Sequence, residues 1–180
     1  MDFILRQEHE NDYLETEEVV RKAFLNETFS DKTEHKLVSR IRKSDAFIPA
    51  LSIVAEKNQE IVGHVLLSKI TIVNDENIVN SLALAPVSVE PMYQKKGIGH
   101  MLISCALKKA VDIGYQSVIV LGHKDYYPKF GFKPAHLWNI RAPFEVPNDV
   151  FMALELTERA LKNVQGVVVY SKAFFEEDLS

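Results

Sequence analysis

The chain has 180 residues, 47% of them apolar and 26% charged, with a net charge of -4. That length suits one domain of ~100–200 residues with a core that needs neither disulfides nor a structural metal, and the acidic balance argues against general binding to nucleic acid phosphate. The lone Cys105 excludes a disulfide within the chain and fits a reducing compartment, while no apolar run approaches the ~20 residues that span a bilayer.

Phe3 to Arg6 reads as an opening strand. Asn11 or Asp12 can cap a helix running to about Phe24, because Val19, Val20, Ala23 and Phe24 recur at helical spacing. A second helix is expected from Lys32 to Arg42, with Asp31 as its cap and Leu37, Val38 and Ile41 on one face. Ala50 to Glu56 and Ile61 to Thr71 form a hairpin about a polar turn, and Ser81 to Val89 is a further apolar strand. Gly97 to Ile113 is the clearest helix, with Gly114 as its stop. Ser117 to Leu121 reads as a short buried strand and Tyr126 to Gly131 as a brief helix. Val150 to Leu156 and Val167 to Phe174 are strands, and Thr157 to Asn163 between them has helical character. Strand Ser81–Val89, helix Gly97–Ile113 and strand Ser117–Leu121 are close enough in sequence to form a parallel crossover. No repeat or domain linker interrupts the pattern, so residues 1–180 read as a single mixed α/β domain. The start at Met1 lacks the basic and apolar segments of a signal peptide, and a cytoplasmic location is expected.

The stretch that carries chemistry runs from Val87 through Glu90-Pro91 to Gln94-Lys95-Lys96-Gly97-Ile98-Gly99-His100. Here a strand enters a loop, and the loop opens a long helix. The first amides of a helix lack partners and stand at the positive end of its dipole, which suits a phosphate. Gly97 and Gly99 remove side chains where a pyrophosphate must approach the backbone, and Lys95 and Lys96 add positive charge. Taken alone, two glycines at a helix start more often mark only a turn. The Walker loop requires Gly-Lys-Ser/Thr, which is absent, and the dinucleotide fingerprint requires a third glycine where this chain has Leu102.

The whole stretch resembles the central motif of the GNAT superfamily of N-acyltransferases, Gln/Arg-x-x-Gly-x-Gly/Ala, here Gln94, Gly97 and Gly99. A second block, Tyr126-Tyr127-Pro128-Lys129-Phe130-Gly131-Phe132, is similar to that family's closing motif of a Tyr shortly before Gly-Phe. The resemblance is clearest from about Ser81 to Phe132. Gly63-His64-Val65, Phe151-Met152-Ala153 and the run from Gly166 to Tyr170 look like the YhbS-type subgroup.

The resemblance implies a GNAT-type fold: a mixed, mostly antiparallel central sheet with splayed central strands, flanked by helices. It implies an acyltransferase that moves an acetyl group from acetyl-CoA, its acyl donor, to a primary amine by direct attack in a ternary complex. The acceptor could be a small molecule, a peptide or a protein. Val87 and Val89 would pair with the pantetheine arm, and the amide of Val89 would stabilise the thioester oxygen as it gains charge. The amides of Lys95, Lys96, Gly97, Ile98, Gly99 and His100, with Gln94 at the head of the loop, would hold the pyrophosphate. Tyr127 would be the general acid that protonates the departing CoA thiolate.

The general base has no motif behind it; Glu90 and His64 are candidates by position. Metal-ligand spacing is absent among the six histidines, so no metal is expected. Cys105 falls on the apolar side of a helix and reads as a core residue. Trp138 reads as packed against the sheet. Two other functions stay open: a non-catalytic CoA-binding sensor or assembly module, and, behind it, a P-loop-like nucleotide binder. Oligomeric state, a homodimer included, is also open.

Overall fold

The computed structural model describes residues 2–175. These form nine strands and three α-helices: β1 (Ile4–Gln7), α1 (Tyr13–Phe24), α2 (Glu34–Arg42), β2 (Ser52–Lys57), β3 (Glu60–Asn74), β4 (Asn77–Val89), α3 (Ile98–Asp112), β5 (Ser117–Leu121), β6 (Lys133–Pro134), β7 (Ile140–Arg141), β8 (Phe151–Glu155) and β9 (Gly166–Val169). The strands make one sheet in the order β1-β2-β3-β4-β5-β8-β6, with β9 beside the far half of β3 and β7 beside β9. All pairs are antiparallel except β4 with β5 and β7 with β9. This is the mixed sheet the sequence implies, and β4, α3 and β5 form the parallel crossover.

Side chains alternate across a strand, and in the centre of this sheet both faces are covered. Leu82 and Leu84 of β4, Val118 and Val120 of β5, and Val65 and Leu67 of β3 pack with Ile98, Leu102, Ile103 and Ala106 of α3. On the opposite face Leu66 packs with Val20 of α1 and with Val38 and Ile41 of α2. Ala83 and Ile119 on that face meet Phe151, Ala153 and Val168 from the later strands. Burial on both sides explains why these strands read as nearly unbroken apolar runs.

Several boundaries differ from the sequence reading: β3 runs on to Asn74 and β4 begins at Asn77 rather than Ser81, and three further differences change a cap or an element. The second helix begins at Glu34 rather than Lys32, with Thr33 as its cap. Asp31 instead accepts hydrogen bonds from the amide and hydroxyl of Thr33 just before the helix. The stretch Thr157–Asn163 is a series of turns, because Arg159 and Asn163 have φ of 59° and 64°, which a helix cannot accommodate. The last strand stops at Val169; Ser171 then accepts from the amide of Ala173 and starts a 3-10 turn at Lys172–Phe174. No helix among the described residues is long and apolar enough to cross a membrane.

Candidate acyl-transfer site

Strands β4 and β5 pair only at Leu82 with Val118 and Ala83 with Ile119. Beyond this point β5 continues along β8, and β4 continues along β3, so a gap opens between the two parallel strands. A bulge lies at the mouth of the gap. Val65 faces Val87 and Leu67 faces Leu84, which leaves Leu66 opposite two residues, Ala85 and Pro86. A bulge bends its strand and re-aims the residues beyond it.

The direction of the backbone groups past the bulge is set by the ladder. The Glu90 amide donates to the carbonyl of Val62 at 2.8 Å, which makes that pair the hydrogen-bonded kind. Antiparallel pairs alternate, so Val89 opposite Gly63 and Val87 opposite Val65 are the other kind. Their amides and carbonyls therefore turn away from β3 and toward the gap. The Val89 carbonyl meets Gln94 there, whose Nε2 donates to it at 3.0 Å.

The loop between β4 and α3 is shaped by two residues in left-handed conformation. Lys95 has φ of 65°, and Gly97, the cap of α3, has φ of 86°. A left-handed residue following a right-handed one aims successive amides at one point, the geometry that suits an anion. Gly97 is the residue type that adopts this φ without steric cost. Lys95, Lys96 and His100 are exposed, and Ile98 is buried. The side chain of Ile98 belongs to the core beneath the sheet, so only its amide serves the loop. The ring of His100 stacks on Phe130 with centroids 4.8 Å apart, and Lys96 Nζ lies 5.4 Å from the centre of the Tyr93 ring.

An aromatic platform closes the other side of the gap. Tyr127 opens a 3-10 turn, Tyr127–Phe130, that ends on Gly131. Its ring packs edge-on against Tyr126 and Phe132, with centroids 5.1 and 5.7 Å away. Burial, followed by the neighbouring Tyr126, pushes the Tyr127 phenol well above its ordinary value. Gly122, at the end of β5, forms the floor beneath this ring: a Cβ there would come within 2.3 Å of Tyr127 Cε2. The hydroxyl of Tyr126 reaches across to α3 and would lie 3.3 Å from a Cβ on Gly99.

These parts enclose a cleft of about 560 Å³ lined by Val87, Val89, Gln94, Gly99, Tyr126 and Tyr127 among others. Residues from opposite ends of the motif thus converge on one space. Lys95, Lys96, Gly97, Ile98 and His100 lie at the loop beside it rather than among its lining residues. From the opposite face Phe24 of α1, Glu27 of the segment that follows it, and Glu34 and Leu37 of α2 line the same cleft. Burial raises the Glu34 carboxyl above its ordinary value. Gly122, Glu27 and Glu34 are not among the residues that the sequence singles out. A glycine directly after a buried strand was the one available signal for Gly122.

Neither candidate base lines this cleft. The His64 ring is completely buried, and its Nε2 lies 2.9 Å from Ser52 Oγ. Ser52 gives its only proton to the carboxylate of Glu8 at 2.8 Å, so Nε2 of His64 is the donor to Ser52. Arg42 holds the same Glu8 carboxylate at 2.6 Å. Burial lowers His64 to about 4, against a smaller opposing effect of Glu8, so the ring is neutral. Glu90 faces Lys22, 3.6 Å away. Cys105 packs against the main core, and Trp138 packs against the second one. Among the described residues no group of three His, Cys, Asp or Glu could hold a metal ion.

Comparison with known proteins bears on the family and the fold. The model of the acetyltransferase (GNAT) family matches residues 11–132. The Escherichia coli K12 N-acetyltransferase YjhQ is 34% identical over 122 residues, covering 67% of this chain and 67% of its own. A GNAT family acetyltransferase from Brucella melitensis, solved in complex with acetyl-CoA, superposes with a TM-score of 0.79 at 29% identity over 96% of this chain and 98% of that one. The GNAT family N-acetyltransferase YhbS of Escherichia coli, solved with CoA, has a TM-score of 0.86 at 24% identity, covering 98% and 94%, and shows the same fold.

Proposed function

The chain belongs to the acetyltransferase (GNAT) family, and on that premise we propose that it transfers the acetyl group of acetyl-CoA to a primary amine by direct attack in a ternary complex. The observation that carries this reading is the gap beyond Ala83, where the backbone groups of Val87 and Val89 face open space between the anion-binding loop and Tyr127. In this reading the whole chain acts as one acyltransferase domain.

The pantetheine arm takes the position a neighbouring strand would hold and pairs with Val87 and Val89. The amides from Lys95 to His100 surround the pyrophosphate, and Lys95 and Lys96 add charge. With the Val89 carbonyl already bonded to Gln94, its amide is the group left to donate to the thioester oxygen. A fixed donor of this kind favours the tetrahedral intermediate over the planar thioester. The amine attacks, the C–S bond breaks, and the CoA thiolate leaves. Tyr127 gives it a proton, and because burial raises the phenol, the proton is present throughout the neutral range. An ordinary phenol is already a weaker acid than a thiol, ~10 against ~8.5. Tyr127 therefore helps chiefly by its position, and its contribution is modest. The ammonium gives one proton to the carboxylates that line the cleft, Glu27 and Glu34, before the neutral amine attacks, and the second proton, released from nitrogen as the thiolate leaves, restores the Tyr127 phenol.

Release of free thiol from acetyl-CoA in the presence of a panel of primary amines tests the reading. Amine-dependent release supports it. Tight acetyl-CoA binding without release by any amine class would favour a CoA-binding sensor instead.

A further inference from the structure

A second cavity of about 270 Å³ adjoins the acyl-transfer cleft and shares Leu37, Leu84, Ala85 and Leu121 with it. Its remaining walls include Phe144, Tyr170 and Phe174. Phe144 and Tyr170 are stacked with centroids 6.2 Å apart, and Tyr170 lies 5.0 Å from Phe174. Although these side chains are apolar, several are open to solvent: Leu121 is 48% exposed and Phe144 40%. Exposed apolar side chains gathered in a concavity beside a reacting centre mark a binding site more often than a chance patch.

We infer that this cavity is an acceptor subsite, and that the protein acetylates primary amines carrying an aromatic or branched aliphatic group next to the amino-bearing carbon chain. The inference rests on the acetyl-CoA reading of the adjoining cleft and adds the class of the acceptor.

Two observations favour the amine over other occupants. Glu27 and Glu34 line the shared cleft, and Glu34 lies one helical turn from Leu37, which lines both spaces. A negative edge meeting an apolar wall matches an amphipathic cation. A hydrocarbon acyl chain would leave the carboxylates without use, and a polyamine would carry its further charges into a wall that holds no carboxylate. Glu34 receives a hydrogen bond from Ser30 Oγ, which orients the carboxylate without neutralising it. Tyr170 is the polar side chain of the wall, and burial raises its phenol to about 12, so it stays uncharged beside the ligand.

The test is a series of linear alkylamines from propylamine to hexylamine, with phenethylamine and spermidine, assayed at saturating acetyl-CoA for wild type and Phe144→Ser. Expected is a rise in kcat/KM of about fourfold per added methylene, phenethylamine well above spermidine, and a flattened series in Phe144→Ser with unchanged acetyl-CoA affinity. The wild-type series stands alone as a test if the variant fails to fold. Equal kcat/KM along the series, or a preference for spermidine, overturns the subsite while leaving acetyl transfer intact. A flat amine series with faster turnover of hexanoyl-CoA than acetyl-CoA also overturns it, since the cavity then holds the acyl chain. Failure of folded wild type to bind acetyl-CoA removes the underlying reading, and is recognised separately by calorimetry.

Discussion

Gln94 donates a hydrogen bond from Nε2 to the carbonyl of Val89 at 3.0 Å, which ties the head of the loop before α3 to the last residue of β4. The bond engages the Val89 carbonyl alone; the Val89 amide, which the ladder turns away from β3, takes no part in it. Gln94 is exposed, so removing its side chain disturbs no core. Gln94→Ala is expected to weaken acetyl-CoA binding by about 2–10-fold, the value of one ordinary hydrogen bond, with little change in unfolding midpoint. Calorimetric titration checks the first expectation and denaturant unfolding the second. An unchanged Kd would mean that the loop holds its shape without this bond.

Tyr127 stands apart from the loop and makes a different prediction. Tyr127→Phe keeps the ring packed against Tyr126 and Phe132 and removes only the hydroxyl. A kcat lower by about 10–100-fold is expected, near the low end for acid catalysis, with acetyl-CoA affinity nearly unchanged. Because burial raises the phenol, its proton is retained below pH ~10, the ordinary value for Tyr. Wild type should therefore lose no rate on the alkaline side through this group below that pH. Full turnover by the variant across pH would remove Tyr127 from the mechanism.

Gly122 gives a steric test of the same ring. A methyl group there meets Tyr127 Cε2 at 2.3 Å, too close for either to remain in place. Gly122→Ala is expected to destabilise the fold by about 1–3 kcal/mol, as overpacking does, and to lower kcat more than it weakens acetyl-CoA binding. Urea unfolding and steady-state kinetics report the two effects. A variant as stable and active as wild type would contradict the role of Gly122 as the floor beneath Tyr127.

The buried network of Glu8, Arg42, Ser52 and His64 makes stability depend on pH. Burial lowers His64 from 6.5 to about 4, so between those values the unfolded chain binds more protons than the folded one. Stability is then complete above pH 6.5 and falls as pH drops toward 4, by about 3 kcal/mol for a shift of this size. Glu8 is also held below its ordinary value, by His64 and Arg42 against the cost of burial. Its contribution is present above the unfolded carboxyl value and is lost at still lower pH, in the same direction. His64→Gln should flatten the slope of unfolding free energy between pH 6.5 and 4. An equal slope in the variant would place the acid sensitivity elsewhere.

The parts of the candidate site that are contiguous in sequence are legible in it as expectations. The run from Val87 to His100 contains strand end, loop and helix start, and its glycines and charges carry their meaning locally. Tyr127 was legible for the same reason. The residues that the sequence does not single out are brought in by packing across distance. Glu27, in the turn after α1, and Glu34, at the start of α2, read as ordinary solvated carboxylates until the two helices cover the sheet opposite α3. His64 is a candidate base by its place on the hairpin facing β4, yet the pairing of β2 with β3 sets it against Ser52 instead of the cleft. The tail misled in another way. Val167 to Phe174 has the apolar content of one strand, but only Gly166–Val169 is paired in the sheet. Thr157–Asn163 has helix-compatible residues whose backbone is turned by Arg159 and Asn163.

Calorimetric titration of acetyl-CoA into wild type and Gly97→Glu tests the central claim most directly. Gly97 caps α3 with φ of 86° and has open space around its Cα, so a glutamate there strains the loop and adds negative charge without clashing with the core. Wild type is expected to bind one acetyl-CoA per chain, and a Gly97→Glu protein that still unfolds cooperatively is expected to bind none. No binding by folded wild type, or equal binding by the variant, would contradict the claim.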